Sequence, residues 1–174
     1  MQKHTNEKTR MIGFAAYSGT GKTTLLKQVI PLLTKKGLRL AIIKHSHHDF
    51  DIDQPGKDSY ELHHAGSSQT LLTSKYRSAL ITESPDLKEP ELNQEVLKLD
   101  LSTIDLVLVE GFRHEKSLTR IEIHRPSLGK PFLYPEEKNI IALASDEQLD
   151  IKLPLLDINN PGEIADFIID WIET

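Results

Sequence analysis

The segment Ala16-Tyr17-Ser18-Gly19-Thr20-Gly21-Lys22-Thr23 carries the residue types that wrap a phosphate chain. Gly19 and Gly21 let the backbone close into a concavity of N–H donors, and a helix starting there turns its positive end toward the anion. Lys22 then reaches the β and γ phosphates, the Thr23 hydroxyl faces Mg²⁺, and Ser18, Thr20 and Thr24 complete the nucleotide-binding wall. The pattern departs from the strict G-x-x-x-x-G-K-[ST] at Ala16, where a single methyl replaces the first glycine. An apolar run from Met11 to Ala15 precedes it, and helical spacing at Leu25, Leu26 and Val29 follows. A nucleoside triphosphate is the expected ligand.

Three segments carry acidic candidates for the chemistry around that loop. Ile104 to Gly111 is an apolar strand ending in Glu110, where a carboxylate holds Mg²⁺ or orients the attacking water. The stretch Lys44 to Asp58 is the most densely ionisable of the chain, and reads as a switch-like loop beside the γ phosphate, with Asp49 first and Asp53 second as metal-directed carboxylates. A zinc site from His47, His48 and nearby acids lacks the helical H-E-x-x-H spacing. A calcium loop starting at Asp49 fails, because Gln54 and Tyr60 stand where Gly and Glu are needed. His63 and His64 sit on a helix and read as surface residues. Ile140 to Ser145 ends in Asp146, which could select guanine by accepting its N1–H and 2-amino donors. No Asn-Lys-x-Asp sequence is present.

Positioning these groups requires strands alternating with helices. Apolar or alternating runs place strands at 10–15, 38–44, 69–73, 78–82, 105–109, 120–124, 140–144 and 153–157. Helices are expected at 22–36, bent by Pro31, and at 59–65, 89–99 and 161–173. The last has Asn160 as N-cap, Pro161 at N1 and an apolar stripe of Ile164, Phe167, Ile168, Trp171 and Ile172. Such alternation predicts an α/β fold, a doubly wound and mostly parallel sheet of the P-loop NTPase type, with ligands beyond the carboxyl ends of the strands. Residues 69–82 read as an added β-hairpin.

A chain of 174 residues with 38% hydrophobic and 27% charged residues reads as one globular domain spanning 1–174. Its lack of Cys excludes disulfides and thiolate chemistry, and its net charge of -5 argues against nucleic-acid or polybasic membrane partners. No apolar run approaches the roughly 20 residues of a membrane span, and the polar segment Met1 to Arg10 lacks a signal-peptide core, so the expected location is cytoplasmic.

Taken together, Phe14 to Leu26, Lys44-His45-Ser46-His47-His48-Asp49 with Pro55 to Tyr60, and Leu108-Val109-Glu110-Gly111-Phe112 resemble the molybdopterin-guanine dinucleotide biosynthesis adapter family, over nearly the whole chain from Ile12 to Trp171. Members of that family also carry Ala at the place of Ala16. The resemblance implies a GTP-binding protein using Mg²⁺ with GTP, with weak GTPase activity. It implies action beside the molybdenum cofactor guanylyltransferase, contact with the molybdopterin cofactor, and a homodimer in which 69–82 and 120–124 serve as contact elements. Lys22, Asp49 and Glu110 would then be the catalytic set, with Thr23, Asp49 and Glu110 on the metal. Hydrolysis should be slow, since Arg113 and Arg77 are the only arginines expected near the strand ends. A small-molecule kinase would share the phosphate loop, with Arg113 to Arg125 as its lid, and a module that binds without hydrolysis is the third reading.

Overall fold

The computed structural model describes residues 9–46 and 48–174. Among these residues the first compact unit comprises 9–45 and Glu91–Thr174, and the second lies within Ser46–Pro90. In the first unit, β1 (Arg10–Ala16), β2 (Leu40–Lys44), β5 (Leu106–Glu110), β6 (Arg120–His124), β7 (Ile140–Ser145) and β8 (Leu155–Asp157) form one sheet in the order β2-β5-β1-β6-β7-β8, every pair parallel. Parallel neighbours need crossovers, and strands covered on both faces lose the polar alternation of half-exposed ones.

The central strand β5 shows this directly. Leu106 and Leu108 join a core with Ile12, Phe14, Ile121 and Ile123 under α1 (Lys22–Lys35) and α4 (Pro161–Glu173). Val107 and Val109 join a second core with Leu118 under α3 (Leu92–Val96) on the opposite face. Helices on both faces make the sheet doubly wound, as the alternation of elements predicts. Asn160 caps α4 by accepting the Glu163 amide, with Pro161 in the first turn.

Helix α3 is shorter than the expected 89–99. Pro90 keeps Glu89 out of the helical region and Glu91 is extended, and at the other end the Asp100 side chain accepts the Ser102 amide, offering the backbone a turn in place of a further helical one. β2 begins at Leu40 rather than Leu38, because the Leu38 amide closes on Leu33 at the end of α1 and the Arg39 amide is taken by the Asp105 carboxylate.

In the second unit, α2 (Asp58–His64) precedes the antiparallel hairpin of β3 (Gln69–Thr73) and β4 (Ser78–Thr82). The hairpin stands as predicted. His63 corrects the surface reading: it is buried, with Nδ1 2.8 Å from Thr70 Oγ1 and Nε2 2.7 Å from Glu83 Oε1.

Candidate nucleotide site

The loop from Ala16 to Lys22 leaves the carboxyl end of β1 and turns into α1 through two left-handed glycines, Gly19 at φ 85° and Gly21 at φ 88°. Gly21 is the N-cap, yet no side chain caps the helix and its first turn holds no acid. Among the described residues, the first amides of α1 and its positive end therefore receive no side-chain cap and no first-turn acid, the arrangement that a bound phosphate completes. Thr20 is buried and its Oγ1 donates to the Tyr17 carbonyl at 3.1 Å, bracing the loop from within. Ser18, Thr23 and Thr24 are exposed on the same segment.

Glu110 ends β5, the neighbour of β1, in register with Phe14. The half-buried Lys22 and Glu110 side chains meet, Nζ to Oε1, at 2.8 Å, and Lys44 Nζ lies 3.9 Å from Oε2. Two expected site residues far apart in sequence are thus brought together at the mouth of the loop. The turn after Glu110 is tightly held. Gly111 has φ 93°, and a Cβ there would stand 2.7 Å from His45 Cβ. Phe112 follows at φ 50°, with its ring 5.1 Å from that of His45 and its carbonyl accepting from Nη2 of the buried Arg120. Burial lowers the Arg120 pKa, opposed by the nearby carboxylates of Glu137 and Glu115. A cleft beside the loop is lined by Ala16, Tyr17, Lys22, Arg113 and Arg120. Arg113 Nη2 is 3.5 Å from the Ala16 carbonyl.

Asp146 follows the end of β7, and its Oδ2 is paired with Nη1 of Arg125. Its Oδ1 is buried with no hydrogen-bond partner among the described residues. Arg125 also donates from Nε to the Thr20 carbonyl at 2.8 Å, joining the phosphate loop to the end of β7. Reading only Arg113 and Arg77 as arginines near strand ends is thereby corrected: Arg125 directly follows β6, while Arg77 sits in the turn of the β3–β4 hairpin. The signal was its place at a strand end; its partners follow from the strand order.

Asp49 and Asp53 belong to the second unit. Asp49 is exposed and its Oδ1 accepts the Phe50 amide at 2.9 Å. Asp53 accepts from the Ser59 hydroxyl and the Gln54 amide, which hold its carboxyl below the usual range. Asp53 is thus tied to the start of α2. His47 lies outside the described residues, and among the described residues no group of three His, Asp or Glu could hold a metal by itself. The oxygen donors on hand, the Thr23 hydroxyl and the Glu110 carboxylate, suit Mg²⁺, which takes few protein ligands and shares its shell with phosphate and water. Among the described residues, no helix is long and apolar enough to cross a membrane.

Comparison with known proteins finds relatives over nearly the whole chain. The family model for molybdopterin guanine dinucleotide synthesis protein B matches residues 11–146. The molybdopterin-guanine dinucleotide biosynthesis adapter protein of Escherichia coli K12 is 48% identical over 164 residues, 94% of this chain and 93% of that protein. The protein of the same name from Haemophilus influenzae is 42% identical over 96% of this chain and 92% of its own. A crystal structure of molybdopterin-guanine biosynthesis protein B superposes with a TM-score of 0.73 at 26% identity, covering 94% of this chain and 99% of that one. The MobB homologue from Bacillus stearothermophilus shares the fold, with a TM-score of 0.68. The chain belongs to the molybdopterin guanine dinucleotide synthesis protein B family.

Proposed function

We propose that this chain is a GTP-binding adapter with weak GTPase activity, working in the cytoplasm beside the guanylyltransferase that attaches GMP to the molybdopterin cofactor. The relatives named above are adapters of molybdopterin-guanine dinucleotide biosynthesis, which supports the pathway. The observation that carries the nucleotide reading is the meeting of Lys22 and Glu110 at a glycine loop whose helix start the chain leaves uncapped.

In this reading the loop amides of Ser18 to Thr24 bind the phosphates, and Lys22 exchanges Glu110 for the β and γ oxygens. Thr23 and Glu110 would hold Mg²⁺, which would supply charge neutralisation at the terminal phosphates. Glu110 orients the attacking water. Arg113 lines the cleft and forms no ion pair among the described residues, consistent with slow turnover. Asp146 reads guanine while its Oδ2 stays paired with Arg125.

The protein assembles as a homodimer through the hairpin of the second unit; 120–124, expected as a second contact element, is instead β6, buried between β1 and β7 in the sheet. Leu71 and Leu80 face each other in the hairpin register and are 64% and 59% exposed, an apolar pair that an isolated two-stranded hairpin does not sustain in water.

Titration of GTP and of ATP with Mg²⁺ against the wild type and Asp146→Asn tests the nucleotide assignment. GTP should bind at least about tenfold more tightly than ATP, with the preference lost in the variant. Equal affinities in the wild type would remove the guanine assignment, and acceptor-dependent phosphorylation of a metabolite would replace the adapter by a kinase.

A further inference from the structure

The ends of β1, β6 and β7 are neighbours in the sheet, and each delivers one group: the phosphate loop, Arg125 and Asp146. Strands lie about 4.8 Å apart, so the loop and Asp146 are separated by about 10 Å, a span that a nucleoside bridges. Arg125 stands between them.

Its guanidinium is fixed on two edges. Nε donates to the Thr20 carbonyl at 2.8 Å and Nη1 pairs with Asp146 Oδ2. Nη2 packs on the loop, 3.6 Å from where a Cβ on Gly21 would stand. Bonds in the guanidinium plane stop it turning, and the side chain remains 30% exposed. A planar cation held this way offers a flat face to an aromatic ring at little entropic cost.

We propose that Arg125 is the nucleobase platform of this site: the purine stacks on its guanidinium, while the Thr20 carbonyl keeps the plane in line with the phosphate loop. The platform rests on the nucleotide reading above. It accounts for an arginine spent on a loop carbonyl, where a phosphate-directed cation would face the amides instead. It also makes the base contribution separable from the phosphate contribution, because stacking is blind to the base's hydrogen-bonding edge.

The test uses Mg²⁺ with tripolyphosphate, which has no base, beside GTP and ATP. Arg125→Lys and Arg125→Gln keep a polar chain near Thr20 and remove the planar cation, Lys keeping the charge without the plane and Gln a smaller neutral plane. Both variants should bind GTP and ATP about tenfold more weakly and tripolyphosphate as the wild type does; retained tripolyphosphate binding also shows that the loop is folded. Equal weakening of all three ligands would make Arg125 a brace of the loop and overturn the platform. Weakening of GTP alone would make it an accessory of Asp146 and overturn it too. Failure of the nucleotide reading is distinct: wild type and Lys22→Ala would then bind tripolyphosphate alike, and the platform would fall with it.

Discussion

Lys22 is held by Glu110 at 2.8 Å, so any phosphate that captures its ammonium must outcompete a carboxylate. Glu110→Gln weakens that competition while removing the charge that orients water. Without Mg²⁺ the variant should bind GTP at least as tightly as the wild type, and with Mg²⁺ it should hydrolyse GTP at least about tenfold more slowly in single-turnover kinetics. Weaker binding with unchanged hydrolysis would contradict both roles. A different residue governs pH response. Glu122 is buried on β6, and burial raises its pKa above the ordinary 4.5, although it accepts the Leu133 and Tyr134 amides at 2.9 Å and His124 lies close by. A raised folded-state value means that its stabilising contribution is complete below pH 4.5 and is lost as pH rises through the folded value. Denaturant unfolding across that window should show the wild type losing stability relative to Glu122→Gln; parallel curves would contradict it.

At the scale of elements, the strand tips decide what converges. The turn after β5 carries two left-handed residues, and Gly111 touches His45 where a Cβ would need space. Gly111→Ala should cost about 1–3 kcal/mol and displace Glu110, lowering both the melting temperature and hydrolysis. A more ordinary element test is Asn160→Ala, which removes the α4 cap and should cost about 1 kcal/mol, roughly 3 °C in melting temperature. These elements also show what the sequence makes legible. The apolar strands, the glycine loop and the α4 cap announce themselves through local rules of period, conformation and hydrogen bonding. Glu110 could be placed because an acid at the end of a buried strand has few other places to go. Arg125 could not be assigned its partners, because its bond to Thr20 spans 105 positions and depends on β6 lying beside β1, an order that no local pattern encodes. His63 was misplaced for a related reason: its burial comes from Thr70 and Glu83 on the far side of a turn.

On the scale of the whole molecule, a sheet covered on both faces supplies rigidity, and the second unit supplies apolar surface. The Leu71 and Leu80 pair should hold two copies together. Leu71→Lys with Leu80→Lys should shift sedimentation from dimer to monomer while tripolyphosphate binding persists, whereas a wild type that sediments as a monomer would contradict the assembly. Every nucleotide-dependent step depends on the glycine loop being a triphosphate cradle. Calorimetric titration of Mg²⁺ and GTP into the wild type and Lys22→Ala measures this most directly. The loss of one charge-assisted contact should weaken binding by about 2–3 kcal/mol, roughly a hundredfold. Indistinguishable affinities in the two proteins would contradict it.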